Sequence, residues 1–81
     1  MTDKEFISRW DSDRQFDTEE LEAICQQVGR DIYCQRSWLG DHLLAIRTFM
    51  VGGRFFRIDY LVDDFSDTID CTDSVVTEIG G

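Results

Sequence analysis

Polar and apolar positions along this 81-residue chain follow a helical period up to Gly29 and an alternating period after it. Leu21, Ile24, Cys25 and Val28 recur at i, i+3, i+4 and i+7, which is one apolar stripe on a helix. Asp17 followed by Glu20 forms a capping box at its start, and Phe16 and Leu21 occupy the two places of a hydrophobic staple. Gly29 stops the helix, because glycine takes the left-handed conformation without steric cost. A shorter helix precedes it. Thr2 and Glu5 make a second capping box, and Phe6, Ile7 and Trp10 lie along one side. A helix this short does not hold itself together in water, so it must dock through those three residues.

Beyond Gly29 the period becomes two. Ile32, Cys34 and Trp38 alternate with Tyr33, Gln35 and Ser37, and Leu39-Gly40-Asp41 offers a turn. Leu44, Ile46 and Met50 share the parity of a second strand, Gly52-Gly53 offers a second turn, and Phe56, Ile58, Tyr60 and Val62 carry a third strand. Apolar matching favours a three-residue loop, Val51 to Gly53, which pairs Thr48 with Phe56, Ile46 with Ile58 and Leu44 with Tyr60. The helices are then expected on this even-numbered face, with Cys34 buried beneath them like Cys25. Phe49 and Phe55 fall on the opposite face beside Leu43 and Leu61, where Arg47 and Arg57 oppose each other. In the tail, Ile69, Cys71, Val75 and Ile79 share odd parity and predict a fourth, broken strand; a short helix holding Phe65 and Ile69 competes for its first part. The whole reads as one α+β domain over 1–81, with two N-terminal helices packed on one face of an antiparallel three- to four-stranded meander.

Charge changes the picture most. Seventeen acids against eight bases give a net charge of −9, which argues against direct binding of nucleic acid or an anionic membrane. The excess is concentrated. Residues 11–22 hold six acids and one base, residues 58–81 hold seven acids and no base, and residues 23–57 hold five arginines against two aspartates. A concentrated field of one sign is what electrostatic steering toward a basic partner requires. Solubility and helix-dipole complementarity at Glu19, Glu20 and Glu22 explain part of it.

Other chemistries have weaker support. Asp11, Asp13, Gln15, Asp17, Glu19 and Glu22 fall at the ligand positions of a calcium loop, but Phe16 stands where that loop needs glycine. Cys25, Cys34 and Cys71 form no C-x-x-C pair, and His42 has no partner at metal-ligand spacing, so neither metal nor cofactor is expected. No nucleophile–base pair or Gly-rich phosphate loop appears, which points away from an enzyme. The odd thiol count, the absence of a signal-peptide layout and the lack of an 18-residue apolar stretch fit a cytoplasmic protein.

With its small size, its acidity and the tract Asp63-Asp64-Phe65-Ser66-Asp67-Thr68-Ile69-Asp70-Cys71-Thr72-Asp73, the chain resembles the small phage-encoded anti-CRISPR inhibitors, several of which are nucleic-acid mimics. The resemblance implies a non-enzymatic inhibitor that blocks nucleic acid from a CRISPR effector in a bacterial host. The candidate contact residues are Asp59, Asp63, Asp64, Asp67, Asp70 and Asp73, helped by Glu19, Glu20 and Glu22. Two alternatives stay open: a homodimeric accessory protein that uses the Phe49/Phe55 surface, and an acidic immunity protein that neutralises a basic toxin.

Overall fold

Capping decides where both helices begin. In the computed structural model, which describes residues 1–63 and 66–80, α1 spans Asp3–Ser12 and α2 spans Thr18–Gln26. Thr2 accepts from the Glu5 backbone N–H (3.2 Å), and at Asp17 both halves of the capping box are closed. The turn between the helices is tied by Arg9, which donates to Glu20 (2.6 Å) and to the Gln15 carbonyl. The second helix ends earlier than expected, with Gln27 as its C-cap; Gly29, two residues further on, has φ of +74° and donates its N–H to Asp3 (2.8 Å).

Five strands follow: β1 (Arg30–Leu39), β2 (His42–Val51), β3 (Arg54–Asp63), β4 (Ile69–Asp70) and β5 (Val76–Ile79). They form one antiparallel sheet in the order β1-β2-β3-β4, and β5 shares the β3 edge with β4. β4 lies along the end of β3, with Val62 opposite Ile69. β5 lies along its start, with Ile58 opposite Val76. The tail is therefore a broken strand. Val76, not Val75, is the residue that packs on the core; Val75 and Ile79 are exposed.

The register of β2 on β3 differs from the expectation. The loop has two residues, Gly52 and Gly53, both left-handed (φ 58° and 82°), as a tight hairpin requires. Phe49 faces Phe56, Arg47 faces Ile58, Ile46 faces Asp59 and Thr48 faces Arg57. The helices consequently cover the odd-numbered face of β2, burying Ala45, Arg47, Phe49 and Val51 with Phe56, Ile58 and Tyr60 of β3. Leu44, Ile46 and Met50 turn to the uncovered outer face and are only half-buried. Phe49 (fully buried) and Phe55 (37% exposed) thus lie on opposite faces, so the surface expected to join them does not exist. Arg47 and Arg57 do not oppose each other either.

Arg47 is the reason. The residue is 4% exposed, and its guanidinium donates from Nε to Asp31 Oδ1 and from Nη1 to the Ile24 carbonyl, both at 2.6 Å. It also stacks 4.8 Å from the centre of the Phe49 ring. A buried charge costs several kcal/mol unless it is paired and hydrogen-bonded, and here it is both. Asp31 reaches it through a β-bulge: the register slips by one between Asp31 and Tyr33, which sets Asp31 opposite Phe49 on the helix-covered face.

Around this pair the core is largely aromatic. Phe6 packs edge-on against Phe56 (4.9 Å) and Phe49 (5.6 Å) and stacks on Phe16 (5.6 Å) and Trp10 (6.2 Å). One polar clamp closes the far side. Arg54 holds Asp11 through two 3.1 Å bonds and Glu78 through bonds of 3.1 and 2.9 Å, while Trp10 Nε1 donates to Glu78 (3.0 Å).

Two consequences can be measured. A methyl group at Gly29 would lie 2.8 Å from the Met50 carbonyl oxygen and 2.9 Å from the Phe49 ring, on a backbone at positive φ. Gly29→Ala should therefore destabilise the fold by about 2–4 kcal/mol in chemical denaturation, from the left-handed strain and the clash together. The Arg54 and Trp10 hydrogen bonds hold the Glu78 carboxyl below its ordinary value. A depressed carboxylate adds stability that is present above its unfolded pKa and is lost as pH falls through the folded one. The stability difference between wild type and Glu78→Gln should be constant above about pH 5 and shrink steadily on acidification.

Candidate functional site

The acids separate into groups according to which strand carries them. Asp59 projects from β3 on the outer face, opposite Ile46. The antiparallel return of the tail brings Asp70 and Asp73 beside it. These three aspartates, with Leu44, Tyr60, Leu61 and Ser74, line a recess of about 200 Å³. Asp70 accepts the Thr72 backbone N–H (3.0 Å) and is held below the usual carboxylate range, first by that bond and to a lesser degree by His42. Asp59 meets Arg57 only at 4.0 Å, and among the described residues neither Asp70 nor Asp73 forms an ion pair. Acid groups thus stand over a leucine floor.

Asp63 and Asp67 are elsewhere. They line a larger cleft of about 740 Å³ on the helix-covered side, together with Arg36, Arg47, Asp31, Cys25, Cys34 and Tyr60. This cleft exists because the short helices cover only part of the sheet and leave β1 exposed along its whole length. Its lining is of mixed sign, with two arginines against three aspartates. Asp67 sits at positive φ (57°) and donates its N–H to the Asp63 carbonyl, closing the turn that leads to β4. Asp64 lies outside the described residues, as does Phe65, on which the competing short helix depended.

The three glutamates on α2 do not act together. Glu20 is half-buried and committed to Arg9 (2.6 Å) and to the Asp17 backbone N–H (3.1 Å). Glu19 and Glu22 are exposed. Glu22 comes close enough to the tail to raise the Cys71 pKa, after burial as the main cause. The Cys71 thiol donates to the Thr18 carbonyl (3.6 Å), so the start of α2 and the acidic tail meet at this point. Sequence reasoning missed Leu44 and Leu61 as part of the acidic recess, because the expected register placed them on opposite faces. Only the pairing of Ile46 with Asp59 reveals the connection.

Among the described residues, no three Cys, His, Asp or Glu side chains gather closely enough to hold a metal ion. No helix among them is long and apolar enough to cross a membrane. No family model matches the chain, and neither a curated protein nor a solved structure shows a significant match.

The thiols divide by environment. Cys25 is buried and pushed up to about 12, chiefly by desolvation, and Cys71 is raised by the same cause. Cys34 is exposed, contrary to its expected burial, since no helix reaches over β1. One thiol per native chain should therefore react rapidly with iodoacetamide, at Cys34, and Cys25 and Cys71 should react only on unfolding. Peptide mapping of the labelled sites checks both points.

Proposed function

We propose that this chain is a non-catalytic binding protein whose recess at Asp59, Asp70 and Asp73 accepts basic side chains from a nucleic-acid-handling protein and competes there with nucleic acid. The observation that carries this reading is the composition of the recess: three exposed aspartates above Leu44 and Leu61. An arginine or lysine buries an aliphatic stem and keeps its charged head among acceptors, and such a surface offers both contacts. Exposed Glu19 and Glu22 and the paired turn acids Asp63 and Asp67 add to the long-range field without sharing the recess. Field strength governs encounter rate more than final affinity, so the proposal separates steering acids from contact acids.

The anti-CRISPR resemblance makes a CRISPR effector, acting in the bacterial cytoplasm, the partner of choice. A basic toxin would present the same chemistry, and the experiment includes it as a separate arm. Purified protein is titrated against a panel of guide-loaded effectors and basic nucleases while nucleic-acid binding is followed. Stoichiometric inhibition of one class is expected. Asp59→Lys/Asp70→Lys/Asp73→Lys should abolish it, while Glu19→Lys/Glu22→Lys should chiefly slow association and reduce its salt dependence. Undiminished inhibition by the triple variant would remove the recess from the mechanism.

A further inference from the structure

The other edge of the sheet carries a different surface. Among the described residues, β1 has no strand on its outer side, all ten of its residues are exposed, and it holds four of the seven large exposed hydrophobic residues. These are Ile32 (49%), Tyr33 (61%), Trp38 (63%) and Leu39 (62%). A long free edge offers a row of unpaired N–H and C=O groups to any strand that approaches, and natural sheets protect such edges with lysine, proline or a covering segment. β1 contains neither lysine nor proline, and no helix reaches over it; its one irregularity, the bulge at Ile32, lies near its start and leaves 33–39 straight.

Charge indicates what can lie there. The hairpin of residues 30–51 carries three arginines and two aspartates, while the remainder of this −9 chain is strongly acidic. A second copy is repelled from most of the surface but not from β1. Joining two copies at β1 would also set the two β4 edges about 34 Å apart, seven strand spacings across a continuous sheet. That is several Debye lengths at physiological salt, so the acidic recesses would not oppose assembly.

We propose that β1 is a homodimerisation edge, pairing antiparallel with β1 of a second copy about a two-fold axis at Cys34. Two axis positions use nearly the full strand, Cys34 and Gln35. An axis at Gln35 sets the two Arg36 side chains diagonally, about 7 Å apart, whereas an axis at Cys34 separates them by about 13 Å along the strands. Because the bulge shifts the register by one, this axis also brings Arg36 opposite Asp31 of the second copy on the same face, an opposite-charge pair. The interface does not depend on the acidic recess, which stays open at both ends of the dimer.

Sedimentation under reducing conditions should show a concentration-dependent dimer. Ile32→Lys/Trp38→Lys should weaken it at least about tenfold, since both residues are exposed and their replacement leaves the core untouched. Phe55→Lys/Ile79→Lys, on the uncovered outer face, should leave it unchanged. Facing residues in an antiparallel pair have Cα atoms about 4.5–5.5 Å apart, within disulfide range. Oxidised glutathione should therefore link two chains through Cys34, and Cys34→Ser should prevent it. A wild-type monomer at all concentrations, loss of the dimer in the outer-face variant, or a reversible dimer that Cys34 fails to cross-link would each overturn the assignment.

Discussion

The structure depends first on a single charged side chain placed inside it. Arg47 lies between the last turn of α2, the bulged start of β1 and the Phe49 ring, and each supplies a partner: the Ile24 carbonyl, the Asp31 carboxylate and an aromatic face. Because strand side chains alternate with period two, fixing Arg47 inward fixes every other residue of β2. Ala45, Phe49 and Val51 go in; Leu44, Ile46 and Met50 go out. Pairing then carries the choice to β3, where Phe56, Ile58 and Tyr60 are the inward residues. A one-residue slip would expose Phe49, break both hydrogen bonds from the guanidinium and separate the Phe6–Phe49–Phe56 rings. The apolar residues gained on the other face do not compensate for that.

The same constraint accounts for what remains uncovered. Two helices of ten and nine residues cover β2 and β3 from Ala45 to Val51 and from Phe56 to Tyr60 but not β1. They are anchored there by Phe6 and by the Arg54–Glu78–Trp10 clamp. The sheet extends beyond them, so β1 is exposed on both faces and a broad cleft opens between α2, β1 and the β3–β4 turn. Bulging at Ile32 is a local cost accepted so that Asp31 can face the guanidinium. It shows how far one buried charge shapes the backbone around it.

Local signals were legible in the sequence, and pairing was not. Capping boxes, the apolar stripe of α2, the left-handed glycine after it and the positions of both hairpin turns all rest on residues within a few places of each other. Most appear as read, but the box at Thr2 is only half closed, α2 ends at Gln26 with Val28 and Gly29 beyond it, and the second turn is one residue shorter than expected. The register failed because β2 is apolar on both faces, so counting hydrophobic matches could not separate the alternatives. What separates them is the bond from Arg47 to Asp31, sixteen residues earlier, and to a backbone carbonyl in α2. Neither leaves a mark on the local pattern. The acidic site was half legible for the same reason. Composition found the acids, but Asp70 and Asp73 join Asp59 rather than Asp63 and Asp67 because of how β4 returns along β3.

Opposite edges of one sheet therefore carry opposite chemistries, and chain order is the cause. The arginine-bearing segment comes earlier in the chain and forms the β1–β2 hairpin, and the acid-bearing segment returns on the far side of β3 as β4 and β5. In a meander, distance along the sequence becomes distance across the sheet, so a chain that segregates its charges in sequence segregates them in space. Had the tail crossed over to pair with β1, it would have covered the apolar edge and set its aspartates beside the hairpin arginines, leaving no open strand there. Pairing on β3 keeps both. The aspartates of the proposed docking recess lie on β3 and beyond it, two or more strands from the proposed dimer edge, and occupying one leaves the other accessible.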